Sequence, residues 1–230
     1  MTGNPPPTTA VLVDCDGVLV DSEPFMEAVL RRELRAHGVT LTARETAARF
    51  RGRAFTEIGA EVREQFQVAL PAGFARAVTD RALAALEWEL SAVPGVFALL
   101  KRVLVPVCVV SNAPGRRVTA ALHSVGLGAL FAADRIVARE DATRGKPAPD
   151  LFLAAAARLG EHPRSCVAVE DSVTGAVAAR EAGMRVVGFT GTHEEPGRQA
   201  EALSGAGCFA TARDMAALAG ILHTECGVST

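Results

Sequence analysis

The stretch "VLVDCDGVLVDSE", Val11 to Glu23, sets three acids, Asp14, Asp16 and Asp21, among valines, leucines and a glycine. With the preceding alanine it opens as "AVLVD" (10–14), a short β-branched run that ends on a carboxylate. A run that is apolar throughout, rather than alternating, reads as a strand buried on both faces, as in a parallel sheet. Three further runs have this form: "VPVCVV" (105–110), "CVAVE" (166–170) and "RVVGF" (185–189). Helical stretches lie between and beside them. Residues 114–126 end near Gly126, residues 149–159 open on Pro149 and Asp150 and stop at Gly160, and residues 172–182 open on Ser172 and close on Gly183. Serine is a good N-cap and glycine a good helix stop. This alternation predicts an α/β domain, a doubly wound, Rossmann-like parallel sheet.

Residues 22–92 break the rhythm and hold no convincing strand. Met26, Leu30 and Leu34, then Phe55, Ile58, Val62 and Phe66, then Leu83, Leu86 and Leu90 follow helical spacing. They predict a helical cap inserted after the first strand, with the chain returning at "VPGV" (93–96). The core domain is then residues 1–21 and 93–230, and the cap is residues 22–92. An insert at the carboxyl end of a sheet strand is a candidate lid over the ligand crevice.

Composition excludes several classes. The chain has 230 residues, 49% hydrophobic, with a formal net charge of -2, so no basic face for nucleic acid is expected. No apolar run reaches the about 18 residues of a membrane span, and "MTGNPPPTTA" lacks the features of a signal peptide. A cytoplasmic monomer is expected. Cys15, Cys108, Cys166, Cys208 and Cys226 form no CxxC pair and read as free thiols. Arginine outnumbers lysine 22 to two, the two being Lys101 and Lys146. A lysine kept in such a chain invites a chemical reason.

The acids now have a place. Strand ends line the crevice of an open α/β sheet, and Asp14 ends the first strand. Two carboxylates as close as Asp14 and Asp16 repel unless a cation or a shared proton relieves them, and Mg²⁺ suits hard carboxylate oxygens. The second strand is followed by Ser111 and Asn112, the third ends on Glu170 and Asp171, and "GKPAPD" sets Lys146 just before a helix. Singly these are ordinary: an N-cap, a solvated charge, turn acids. Four segments in this order point to one site.

Those segments, "DCDGVLVDSE", "VVSNAP", "GKPAPD" and "VAVEDSVTGAVAAREAGM", resemble the four motifs of the haloacid dehalogenase superfamily, in particular its β-phosphoglucomutase-like branch and sugar-phosphate phosphatases. The resemblance implies that Asp14 is a nucleophile forming an aspartyl phosphate and Asp16 the general acid and base. It implies Mg²⁺ held by Asp14, the backbone carbonyl of Asp16, Asp171 and, directly or through water, Glu170. Ser111, the backbone around Asn112, and Lys146 would hold the phosphoryl oxygens. The family's dehalogenases lack the second aspartate, so Asp16 argues for phosphoryl transfer.

Substrate choice is expected in the cap. "ARFRGRAF" carries Arg49, Arg51 and Arg53 around Gly52, a clamp for a second anionic group or simply solvated helix ends. Arg53, Arg49 and Glu23 are the specificity candidates. The mutases of this branch carry a cap arginine where this chain has Phe55 and a histidine where it has Met26. The expected function is a Mg²⁺-dependent phosphatase of small phosphorylated metabolites, sugar or sugar-acid phosphates. A β-phosphoglucomutase-like sugar-phosphate mutase is the alternative.

Overall fold

A computed structural model of the chain describes residues 6–50, 55–85 and 90–226, with residues 23, 55–57 and 82–85 described in backbone only. Two compact units emerge: Met1–Asp21 with Ser91–Thr230, and Ser22–Leu90.

In the first unit, strand β1 (Ala10–Val13) leads to the two-residue β2 (Val20–Asp21), and the chain comes back as β3 (Ser91–Ala92). In the second unit lie helices α1 (Glu23–Ala36), α2 (Ala43–Phe50), α3 (Phe55–Phe66) and α4 (Phe74–Ala85). The first unit then continues through α5 (Val96–Arg102), β4 (Val107–Val110), α6 (Gly115–Ser124), β5 (Ile136–Val137), α7 (Asp150–Leu159), β6 (Cys166–Glu170) and α8 (Val173–Glu181). It ends with β7 (Arg185–Phe189), α9 (Pro196–Gly205), β8 (Ala210–Ala212) and α10 (Met215–Cys226).

Six strands form one sheet in the order β5-β4-β1-β6-β7-β8, and every pairing in it is parallel. The expected doubly wound α/β core is present. β1 is central: the chain winds outward through β4 and β5 on one side, then returns to β6, β7 and β8 on the other. The strand order therefore reverses at β1, which puts the ligand crevice at the carboxyl ends of β1, β4 and β6. Ala10, Leu12, Cys108, Val110, Cys166 and Ala168 are buried, and the sheet packs on Leu151, Phe152 and Ala155 of α7 and on α8. This double-sided burial is why the strand runs show no polar alternation.

β2 and β3 pair antiparallel, Val20 with Ala92 and Asp21 with Ser91, so the two connections to the insert leave from adjacent positions. Within the insert, Leu30, Leu34, Val39, Phe50, Ile58, Val62, Phe74 and Val78 form their own core, and Phe25 packs with Met26, Val29 and Leu90. Leu86 lies outside the described residues. Ser22 stands at the N-cap of α1 but makes no side-chain cap hydrogen bond; Pro24 in the first turn sets the helix start instead. No helix among the described residues is long and apolar enough to cross a membrane. The five cysteines are free.

Candidate active site

Asp14 follows β1 directly and is 9% exposed, its N–H bonded to the Val169 carbonyl of β6 at 3.0 Å. The chain then turns sharply, with the N–H groups of Leu19 and Val20 both on the Cys15 carbonyl and that of Gly17 on the Val20 carbonyl. Cys15, Val18 and Leu19 point into the apolar interior, so the valines and leucines around the acids anchor the loop that carries them. Gly17 has φ +80°, and a Cβ there would strike the Asp171 carboxylate. Glycine is required at this position on both counts.

The end of β6 supplies Glu170, which is fully buried, and Asp171 beside it. A Cβ at Gly175, in the first turn of α8, would collide with the Glu170 carboxylate. Ser172 caps α8 by accepting from the Gly175 N–H at 3.1 Å, and its hydroxyl donates to Glu170 Oε2 at 3.2 Å. Oxygen atoms of Asp14, Glu170 and Asp171 lie within 4.8 Å of one another.

Lys146 reaches into this group with its side chain only 4% exposed. Nζ donates to Asp14 Oδ1 at 2.7 Å, Glu170 Oε1 at 2.5 Å and the Val110 carbonyl at 2.8 Å, and sits 5.2 Å from the Phe152 ring centre. Lys101, by contrast, is exposed. Asn112 clips the lysine's backbone at both ends: its Nδ2 donates to the Lys146 carbonyl at 3.2 Å, and its Oδ1 accepts the Lys146 N–H at 2.8 Å. Ser111, 2% exposed, accepts the Ala113 N–H at 3.0 Å and braces the turn into α6. The acid, hydroxyl, amide and lysine segments expected from the sequence meet at one edge of the sheet.

Burial dominates the electrostatics. It pushes the Asp14 carboxyl up to about 7, against the pull of Lys146. Burial also raises Glu170, again opposed by Lys146, and raises Asp171, opposed by a hydrogen bond from His193. The two acids beside Lys146, Asp14 and Glu170, hold its ammonium well above the usual range against the opposing effect of burial. Three hard-oxygen donors that resist being charged together, in pockets kept clear by Gly17 and Gly175, fit a small divalent cation.

Four contributors carry no sequence signal. The Asp16 carboxylate is not turned into the acid group: Arg117 of α6 holds it through Nη1 to Oδ2 at 2.6 Å and Nη2 to Oδ1 at 2.8 Å. The β7–α9 loop and the first turn of α9 brace the other side. Thr192 Oγ1 donates to the Gly17 carbonyl at 2.9 Å, His193 Nε2 stands 3.3 Å from Asp171 Oδ2, and Gln199 Nε2 donates to the Asp171 carbonyl at 2.5 Å. Among 22 arginines, one more at the start of a helix does not stand out.

The specificity candidates fare differently. Arg49 is engaged within the insert: it donates to Gln65, lies 3.7 Å from Glu61 and stacks 5.5 Å from the Phe66 ring centre. Arg51 and Arg53 lie outside the described residues, as do the side chains of Glu23 and Phe55.

Comparison with known proteins identifies the family. Residues 8–183 match the family model of haloacid dehalogenase-like hydrolases. The chain is 36% identical over 191 residues to 6-phosphogluconate phosphatase of Escherichia coli, covering 81% of this chain and 85% of that protein. It is 32% identical to hexitol phosphatase A of the same organism, covering 80% and 84%. Among solved structures, a HAD family hydrolase from Deinococcus radiodurans with bound phosphate and sodium superposes with a TM-score of 0.83 at 34% identity, covering 97% and 98%. A Thermotoga maritima protein named as a candidate beta-phosphoglucomutase gives 0.75 at 26%, covering 93% and 98%. The chain belongs to the haloacid dehalogenase-like hydrolases. Within that family it is a phosphoric monoester hydrolase.

Proposed function

We propose that the protein is a Mg²⁺-dependent phosphatase of small phosphorylated metabolites, sugar or sugar-acid phosphates, working through an aspartyl phosphate on Asp14. The observation that carries this reading is the convergence of the Asp14, Glu170 and Asp171 oxygens on one point with the Lys146 ammonium beside them. Asp14, Glu170, Asp171 and the Asp16 backbone carbonyl would hold the cation. Bound there, Mg²⁺ would neutralise the crowded acids and polarise a phosphoryl oxygen.

The chain's own residues account for the rest. A carboxylate oxygen of Asp14 attacks phosphorus while the bond to the ester oxygen breaks, and Asp16 delivers a proton to that leaving oxygen. Asp16 then takes a proton from water as the water oxygen attacks phosphorus, and the phosphorus bond to Asp14 breaks to release phosphate. Lys146 and the Ser111–Asn112 turn are suited to the charge spread over the phosphoryl oxygens in both steps. Asn112 fixes the lysine's backbone, and Glu170 steers its ammonium.

The named relatives are phosphatases of a sugar acid and of hexitols, which favours hydrolysis over isomerisation. Phe55 and Met26 stand where the mutases carry arginine and histidine, which points the same way. A panel of metabolite phosphates, read by free phosphate with and without Mg²⁺, tests the reading. The expected result is Mg²⁺-dependent release from sugar or sugar-acid phosphates. Isomerised sugar phosphate without free phosphate would overturn it in favour of the mutase.

A further inference from the structure

Arg117 is the third residue of α6, and the turn before it is tightly held. Ser111 Oγ accepts the Ala113 N–H, Glu140 Oε2 accepts the Gly115 N–H at 3.0 Å, and the Arg117 N–H bonds to the Pro114 carbonyl at 2.8 Å. Its guanidinium crosses to the loop after β1, and its side chain is 16% exposed against 27% for Asp16. The pairing is a two-point fork, one nitrogen on each carboxylate oxygen, which fixes the plane of the carboxylate as well as its position. Asp16 sits on a short turn, and among the described residues Arg117 is the side-chain partner of its carboxylate. Lys146 serves Asp14 and Glu170; Arg117 serves Asp16.

We infer that Arg117 is a positioning residue that aims the Asp16 carboxylate in the proton-transfer steps. This rests on the role proposed for Asp16. A carboxylate that moves protons loses rate steeply when misplaced, about 100-fold for an error near 1 Å. The fork is the device in this chain that prevents it.

The test is a double-mutant cycle on the intact protein, with 4-nitrophenyl phosphate and with the fastest ester of the metabolite panel. Arg117→Ala is expected to lower kcat by about 10–100-fold with KM changed by less than about threefold. In an Asp16→Asn background the same substitution is expected to cost less than about threefold more, because the residue it acts through is already gone. Added guanidinium should restore part of the rate in Arg117→Ala but not in the double variant, and Arg117→Lys should fall between, since an ammonium engages the carboxylate at one point. Circular dichroism and thermal melting confirm that each variant is folded. An equal kcat loss in both backgrounds, or a raised KM at unchanged kcat, would overturn the inference while leaving the role of Asp16 intact. Full activity in Asp16→Asn alone would overturn that role, and the inference with it.

Discussion

The crevice at the end of β1 and the helical insert handle charge in opposite ways. In the crevice three acids share one point, and a single lysine serves two of them. Burial raises all three acids. Among the described residues of the insert the charges meet opposite charges: Arg81 with the buried Glu33 at 2.6 Å, Arg76 with Asp80 one turn apart at 3.5 Å, Arg49 with Glu61 at 3.7 Å. Two of these pairs tie one helix to another, Arg81 on α4 to Glu33 on α1 and Arg49 on α2 to Glu61 on α3. Crowded, under-compensated acids at a strand end are a signature of chemistry, and paired charges along helices are a signature of scaffolding.

The largest test of that contrast is Asp14→Asn. Turnover should fall by at least about 10⁴-fold, because the amide cannot attack phosphorus and nothing nearby substitutes for it. Appreciable residual turnover in folded protein would break the comparison at its strongest point.

The same substitution should reveal the stored cost. Folding lifts Asp14 from 3.8 to about 7, so between those values the folded chain holds a proton that the unfolded chain has lost. Stability of the metal-free protein therefore falls as pH rises through this window. Asp14→Asn removes that slope. Its advantage over the parent should grow from pH 4 to pH 8, by no more than about 4 kcal/mol, since each pH unit between the unfolded and folded values is worth about 1.36 kcal/mol. Denaturant titrations in a chelator at the two pH values read it out; a constant difference would mean that folding does not raise Asp14.

The contrast also explains what is legible in the sequence. Asp14, Ser111, Glu170 and Asp171 close apolar strands or follow them directly, and the topology then leaves them only one place to meet. Lys146 stands out by scarcity. The edge strands Ile136–Val137 and Ala210–Ala212 are too short to show a period. Arg117 and His193 act from a helix and a loop whose approach to the site is set by packing, which no local pattern encodes. The sequence suggests that Asn112 offers its backbone to phosphate, while in the structure its side chain holds Lys146 in place. Arg49 shows the converse: guanidinium near a glycine looks like an anion clamp, and its partners are Glu61, Gln65 and Phe66.

Arg53 is where the contrast can be sharpened between neighbours. If the insert reads substrate, Arg53→Ala should weaken turnover of a substrate with a second anionic group more than that of a simple aryl phosphate. Loss of one charge-assisted contact costs about 1.5–3 kcal/mol, or roughly one to two decades in kcat/KM. Equal losses on both substrates would remove Arg53 from substrate selection.

Arg49→Ala is the smallest effect and the cleanest control. Its side chain is 37% exposed and faces Glu61 at 3.7 Å, so solvent screens the pair, and such pairs contribute about 0.2–1 kcal/mol. The aliphatic stem and the stacking on Phe66 add a packing loss of similar size at an exposed site. Stability should fall by about 1 kcal/mol, more at low salt than at high, since screening weakens the ion pair and leaves the packing. Selectivity between the dianionic and the aryl substrate should stay within about twofold, because an arginine engaged on α3 has little left to offer a ligand. A selectivity change as large as that expected for Arg53 would show that the Arg49 pairing opens when substrate binds. Paired charge in the insert would then be a reserve for recognition, and the division between chemistry and scaffolding would hold for the core alone.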